Sequence, residues 1–382
     1  MLNDLTIQGQ EMEPAINTSS GQVKMAEQTT TVSIGKNKPV KVLIVDDSPI
    51  MCKALKQILS GDDEIEVASI ALNGVEALNK LSSEDFDVCT LDVHMPGMSG
   101  LTVLKNIMVR FPVPTLMVSA FTGDGSRVTF EALRYGAVDF FKKPSRTGAA
   151  DLKEQADILR ARLKRAAQVQ VKAARYLRIK PTGFKAGMKD EETEVRGLAV
   201  IHGSTGGYSS ILAIVPHLEP SLEVPVIVSL TTSQGNLRAF ADYMRPFSPC
   251  PIDVPEGKVE LKAGHIYLLA VNQACTFEQA GGKWEMFVTD RPIDTEKEGA
   301  VDLILLSASE AFENKCMAVF VSGDNMHGIT GAREVVRNRG RVMAQTPENC
   351  LAPFMPRHVL EEFDTESGEP VEIARQISGW GK

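Results

Sequence analysis

Six cysteines, at positions 52, 89, 250, 275, 316 and 350, are all that 382 residues carry, and no two have C-x-x-C spacing. That pattern suggests neither a zinc site nor a disulfide framework, and a reduced, cytoplasmic setting is expected. No apolar run approaches the roughly 18 residues of a membrane span, so no membrane insertion is expected. The first residues carry acids rather than a basic segment ahead of an apolar core, which is not the pattern of a secretory signal. An excess of positive charge is missing too: the net charge is −8, which gives no whole-chain footprint for nucleic acid. What is present is ordinary globular composition, 43% hydrophobic and 24% charged. The length is too great for one ordinary core and predicts two domains with linkers.

Residues 1–38 are polar, rich in Thr, Ser, Gln and Glu, and without a period; a disordered tail is expected there. From Lys41 the chain alternates. Apolar strands are expected at 41–45, 65–70, 87–92, 114–120 and 138–144. Helical patterns lie between them, the first opened by Ser48 and Pro49 as N-cap and first helical residue. Strands alternating with helices predict a doubly wound parallel sheet. A long helical stripe follows (Leu152, Ala156, Leu159, Leu163, Ala166). Ten basic residues fall between Arg160 and Lys189 with no acid among them, and Asp190, Glu191, Glu192 and Glu194 come next. This segment reads as a helical, basic linker with a solvated face; a contact with a polyanion or partner is the other reading. A second α/β pattern starts at Gly197. Its strands are expected at 197–201, 224–228, 265–269 and 317–321, and its helices near 209–215, 239–244, 301–312 and 331–337.

Asp46, Asp47 and Asp92 fall at C-terminal strand ends, where open α/β sheets place their chemistry. Three clustered carboxylates repel and call for a cation, and hard oxygen donors select Mg²⁺. Such an ion screens the repulsion when a carboxylate meets a phosphoryl group. Ser119 and Lys143 end the next two strands, where a hydroxyl and an ammonium suit added phosphoryl oxygens. Residues 39–147 resemble a response-regulator receiver domain, of the flavodoxin-like five-stranded kind. The matching pieces are Val45-Asp-Asp-Ser, Leu91-Asp-Val-His-Met-Pro-Gly-Met-Ser-Gly, Val118-Ser-Ala and Lys142-Lys-Pro. The resemblance implies phosphorylation of Asp92 by a histidine kinase. It implies Mg²⁺ held by Asp46, Asp47, Asp92 and the His94 carbonyl, Ser119 and Lys143 on the phosphoryl group, and Phe140 as the aromatic switch.

In the second half, Ala199-Val-Ile-His-Gly-Ser-Thr-Gly-Gly207 reads as strand, glycine turn and helix. Such a turn can lift Ser204 off the sheet edge among backbone N–H groups, as a nucleophile needs. Glycine turns before helices also bind phosphates or simply turn the chain. Residues 196–382 resemble the catalytic domain of the chemotaxis protein-glutamate methylesterases, the CheB family. The matching pieces are Gly203-Ser-Thr-Gly-Gly207, Pro225-Val-Ile-Val228, Gly264-His-Ile-Tyr267, Ala300-Val-Asp302, Ser322-Gly-Asp-Asn-Met-His-Gly328, Ala344-Gln345 and Met355-Pro356-Arg357. Receiver, linker (148–195) and this domain, in that order, form the family's architecture.

The resemblance implies a Ser–His–Asp triad acting on methylated glutamates of chemoreceptors, with the serine at Ser204. The other two members do not match. Leu230 stands at the histidine position, and no histidine lies between His217 and His265; His327 stands at the aspartate position. A serine without a base is a poor nucleophile. The expected function is therefore a chemotaxis-type response regulator, phosphorylated on Asp92, whose methylesterase-like domain binds methyl-accepting chemoreceptors and is catalytically impaired. The alternative is an active methylesterase in which His327 swings toward Ser204 with Asp324 or another acid orienting it, or in which His202 serves. A DNA-binding output is not expected, since nothing after residue 197 reads as helix-turn-helix.

Overall fold

The computed structural model describes residues 38–119, 124–143, 149–169, 171, 194–290 and 299–381. The expected tail therefore lies outside the described residues apart from Lys38, as does 172–193 of the expected linker.

The first sheet is built from β1 (Val40–Val45), β2 (Ile65–Ala71), β3 (Val88–Asp92), β4 (Thr115–Ser119) and β5 (Asp139–Lys142). Val42 to Val45 and the whole of β3 are buried, as strands covered on both faces must be. Between the strands run α1 (Pro49–Leu59), α2 (Gly74–Ser83), α3 (Gly100–Arg110) and α4 (Asp124–Arg134). Their starts are set locally: Ser48 Oγ accepts from the Met51 N–H, and Asn73 Oδ1 from the Glu76 N–H at 2.9 Å. Strand order is β2-β1-β3-β4-β5, all parallel, so the winding reverses between β1 and β3.

The helix expected inside the linker, α5 (Ala149–Ala167), packs back onto this sheet. Leu159 and Leu163 of its expected apolar stripe are fully buried with Val42, Ile44, Leu55 and Leu59, so this part of the linker is docked rather than a free tether. Its cations also find partners. Arg160 Nε donates to the Ile58 carbonyl, and Lys164 pairs with Asp62 and Glu64.

The second sheet is larger and again all parallel, in the order β15-β14-β13-β6-β7-β10-β8. Its strands are β6 (Leu198–Gly203), β7 (Val226–Leu230), β8 (Ile252–Asp253), β10 (Ile266–Ala270), β13 (Cys316–Phe320), β14 (Arg341–Gln345) and β15 (Ser367–Gly368). Here the winding reverses between β6 and β13. The helices are α6 (Gly207–Ile214), α7 (Gln234–Met244), α8 (Ala300–Phe312), α9 (Ile329–Arg337), α10 (Phe354–Phe363) and α11 (Pro370–Gly379). A separate antiparallel sheet, not expected from the sequence, joins β9 (Gly257–Glu260), β11 (Gln273–Ala280) and β12 (Lys283–Asp290) in the order β11-β12-β9.

The two α/β halves share an aromatic contact. Phe130 on α4 and Phe140 on β5 meet Tyr208 of α6 and Phe240 of α7. Ring centroids are 5.6 Å apart for Phe130–Tyr208, 5.2 Å for Phe130–Phe240 and 5.4 Å for Phe140–Tyr208. All six thiols are buried and unpaired. Among the described residues no helix is long and apolar enough to cross a membrane.

Candidate functional sites at the two sheet edges

The reversal between β1 and β3 opens a crevice at the strand ends, and the acidic residues stand in it. Asp46, Asp47 and Asp92 each bring a carboxylate oxygen within 4.8 Å of the others. Asp46 and Asp92 are buried, while Asp47 lies nearer the solvent. Lys143 Nζ is 2.8 Å from both Asp46 Oδ2 and Asp92 Oδ2. Burial works against the charges on both partners. It raises Asp92 above the usual carboxylate range although Lys143 pulls the other way. For Lys143 the two carboxylates outweigh burial and hold the ammonium above its ordinary value. Clustered hard oxygens, three carboxylates against one ammonium, fit a divalent cation of the Mg²⁺ type.

The remaining residues expected here lie close by. The exposed His94 donates its backbone N–H to Asp92 Oδ1 at 3.3 Å. Ser119 ends β4 beside Lys142 of β5; its side chain lies outside the described residues. Phe140 is buried, edge-on to Phe130 at 5.6 Å. Its position between Phe130 and Tyr208 puts the expected switch residue in the contact between the halves.

The second site sits at the other reversal, between β6 and β13. β6 ends at Gly203, and the chain turns through Ser204 into α6. Gly206 takes a φ of +79° there, and a Cβ on it would lie 2.4 Å from Ser322 Oγ, so only glycine fits. Ser204 Oγ donates to Asp324 Oδ1 at 2.8 Å and accepts from the Asp324 backbone N–H at 2.9 Å. Among the described residues, no imidazole hydrogen-bonds Ser204. Leu230 is the last residue of β7, in register with Gly203 and 2% exposed, and it lines the Ser204 pocket with its hydrocarbon.

His327 packs against Gly299, its Nδ1 buried without a hydrogen-bond partner. His202 is buried in β6, 6.4 Å from the Phe320 ring, and burial pushes its pKa down to about 4. Neither of its ring nitrogens has a hydrogen-bond partner of good geometry.

Three further residues shape this site without having been singled out for it in the sequence. Asp302 is buried and accepts from the backbone N–H groups of Gly299, Gly328 and Gly331, tying the loops on either side of His327. Its place at the third position of a helix, before an apolar run, was the available signal. Arg165, near the end of α5, puts Nε 3.1 Å from Asp324 Oδ2. Arg162, one turn earlier, bonds the Phe140 carbonyl at 2.8 Å and reaches Asp139. With Asp139, Tyr208 and Leu230 the two arginines line a pocket of about 60 Å³ at Ser204. Ordinary ligand pockets measure roughly 300–1,000 Å³.

Family models place the same two halves. The model described as response regulator receiver domain matches residues 42–156, and that described as CheB methylesterase matches 199–377. The chain is 31% identical to a protein-glutamate methylesterase/protein-glutamine glutaminase of Pyrococcus horikoshii, over 88% of this chain and 91% of that protein. It is 31% identical to one from Vibrio cholerae over 88% and 95%. Among solved structures, it is similar to the Thermotoga maritima CheB methylesterase catalytic domain. That match has 25% identity and a TM-score of 0.45, and covers 48% of this chain and 97% of that one. The response regulator domain of Thermotoga maritima CheB matches at 37% identity and a TM-score of 0.32, over 35% and 99%.

Proposed function

Because the chain belongs to the CheB family, a receiver domain joined to a protein-glutamate methylesterase-like domain, we propose that it works as a phosphorylation-gated regulator with an impaired esterase site. In this reading a histidine kinase of a chemosensory pathway phosphorylates Asp92, and the second domain engages methyl-accepting chemoreceptors. One contrast supports it most: the acceptor carboxylates are complete and paired to Lys143, whereas Ser204 faces an aspartate and a leucine where a base should be.

Asp46, Asp47, Asp92 and the His94 carbonyl would hold Mg²⁺, which supplies charge screening between two anionic reactants. The chain's own residues do the rest. An Asp92 carboxylate oxygen takes the phosphoryl group as its bond to the donor breaks. Lys143, already between Asp46 and Asp92, follows the new negative charge. Ser119, at the end of the neighbouring strand, supplies a hydroxyl. Phe140 then carries the change into the contact with Tyr208, so that α4 and α5 shift on the second domain. At the esterase-like site, losing both imidazole and its orienting acid should remove most of the rate.

The test is one incubation of the whole protein with a small-molecule phosphodonor, Mg²⁺ and methylated receptor membranes. Label is expected on Asp92 and absent from Asp92→Asn, with methanol release near background. Label retained in Asp92→Asn refutes the acceptor. Brisk methanol release that disappears in Ser204→Ala favours the alternative, an active methylesterase with a rearranged base such as His327.

A further inference from the structure

Ser204 is not an orphaned hydroxyl. It donates to a carboxylate oxygen of Asp324 at 2.8 Å, the direction in which a nucleophile's proton leaves. The Asp324 backbone N–H meets the same Oγ at 2.9 Å, where it favours negative charge on that oxygen. The second carboxylate oxygen of Asp324 faces Arg165, with Nε at 3.1 Å but without an aligned hydrogen bond. Arg165 comes from α5 of the receiver half, 159 positions before Asp324, and its side chain is 55% exposed. We propose that Asp324 serves as the proton acceptor for Ser204 in this chain, and that Arg165 holds that carboxylate idle while the receiver covers the pocket.

The chemistry balances without any further reactant. Ser204 Oγ bonds to the carbonyl carbon of a carboxyl-side-chain methyl ester as its proton passes to Asp324 Oδ1. The C–OCH₃ bond then breaks, and methoxide leaves as methanol with that proton. Water then attacks the acyl carbon as its proton passes to Asp324; the acyl–Oγ bond breaks, Asp324 hands that proton to Ser204 Oγ, and the free acid leaves. A carboxylate is a weaker base than an imidazole by about two pKa units in ordinary surroundings. The serine is therefore activated but slow, in keeping with methanol release near the floor of a turnover assay. The ion pair with Arg165 slows it further, because it engages the second oxygen of the carboxylate that must take the proton.

The inference rests on the reading that the receiver half closes the Ser204 pocket, but its test needs no phosphorylation. The whole protein is treated with methanesulfonyl fluoride, which gives up fluoride to an activated serine, and modification is read by peptide mass spectrometry. Arg165→Gln is expected to label at Ser204 about tenfold faster than the parent. Arg165→Gln/Asp324→Asn is expected to fall to the level of Ser204→Ala, since positioned proton transfer contributes roughly 10²–10⁴-fold. Far-UV circular dichroism and phosphodonor labelling of Asp92 check that each variant is folded. Equal labelling of Arg165→Gln with and without Asp324 overturns the proposal. So does an Arg165→Gln rate no faster than the parent, a comparison that stands even where the double variant does not fold. Failure of Asp92 to take label, with the Ser204 pattern as expected, counts against phosphorylation gating and leaves the assignment of Asp324 standing.

Discussion

A neutral imidazole in β6 makes the pH dependence of one residue calculable. His202 is 2% exposed; His327 bears on it in the same direction as burial, while Asp302, the Asn325 side chain and the Ser229 backbone pull the other way. Burial, reinforced by His327, lowers its pKa from 6.5 to about 4. The unfolded chain binds this proton near pH 6.5, and the folded chain only near 4. The stability gained by keeping the ring neutral is therefore complete above pH 6.5 and lost as the pH falls toward 4. At about 1.4 kcal/mol per pKa unit, the loss is on the order of 3 kcal/mol. His202→Leu should remove it, flattening the change in urea-unfolding free energy between pH 7 and pH 4 by that amount; an unchanged slope refutes the assignment. Legibility also divides at this scale. Asp46, Asp47, Asp92 and Lys143 could be read from the sequence because each ends a strand whose order puts the ends side by side. The Leu230 and His327 departures were readable against the family pattern. The grip of Asp324 on Ser204 and the reach of Arg165 were not. Both depend on a loop conformation and on an approach between segments far apart in sequence.

Elements were readable where period and burial agreed. The five strands and five helices of the first half fall within a few residues of their expected places, because fully apolar strands and capped amphipathic helices carry local signals. What was missed in the second half has weaker marks. β11 and β12 alternate buried and exposed residues, with Cys275 and Phe277 inward and Thr276 outward. They meet at a Gly281-Gly282 turn with both φ positive (+59° and +81°), a usable hairpin signal hidden among scattered polar residues. α5 is the instructive case. Its basic run suggested a solvated tether, yet the apolar stripe beneath it is buried and most of its cations have acidic partners. A tether predicts that Leu159→Ala changes stability by less than about 0.5 kcal/mol. A packed fifth helix predicts a loss of about 2–5 kcal/mol. The packed outcome is expected, as a fall in the urea midpoint of the first unfolding transition with its m-value preserved.

At the scale of the whole molecule, two crevices at winding reversals are joined by one aromatic contact. Phe140 lies on β5 of the receiver sheet, three residues before Lys143. Across the contact, Tyr208 sits in the first turn of α6, four residues after Ser204. If phosphoryl binding at Asp92 loosens this contact, the coupling must run both ways, because linkage between two equilibria is reciprocal. Weakening the contact from the esterase-like side should then ease the change at Asp92 by the same factor. Tyr208→Ala is suited to this. It removes a ring 5.4 Å from Phe140 and 4.7 Å from Phe240 while leaving the acidic cluster untouched. Beryllofluoride, a phosphoryl mimic, is the ligand to titrate in Mg²⁺, because it reports binding rather than rate. Typical couplings of 1–3 kcal/mol predict a Kd about 5- to 150-fold tighter in Tyr208→Ala than in the parent. An unchanged Kd in a folded variant means that the contact between the halves is a static joint, and that any gating of Ser204 runs through α5 and Arg165 alone.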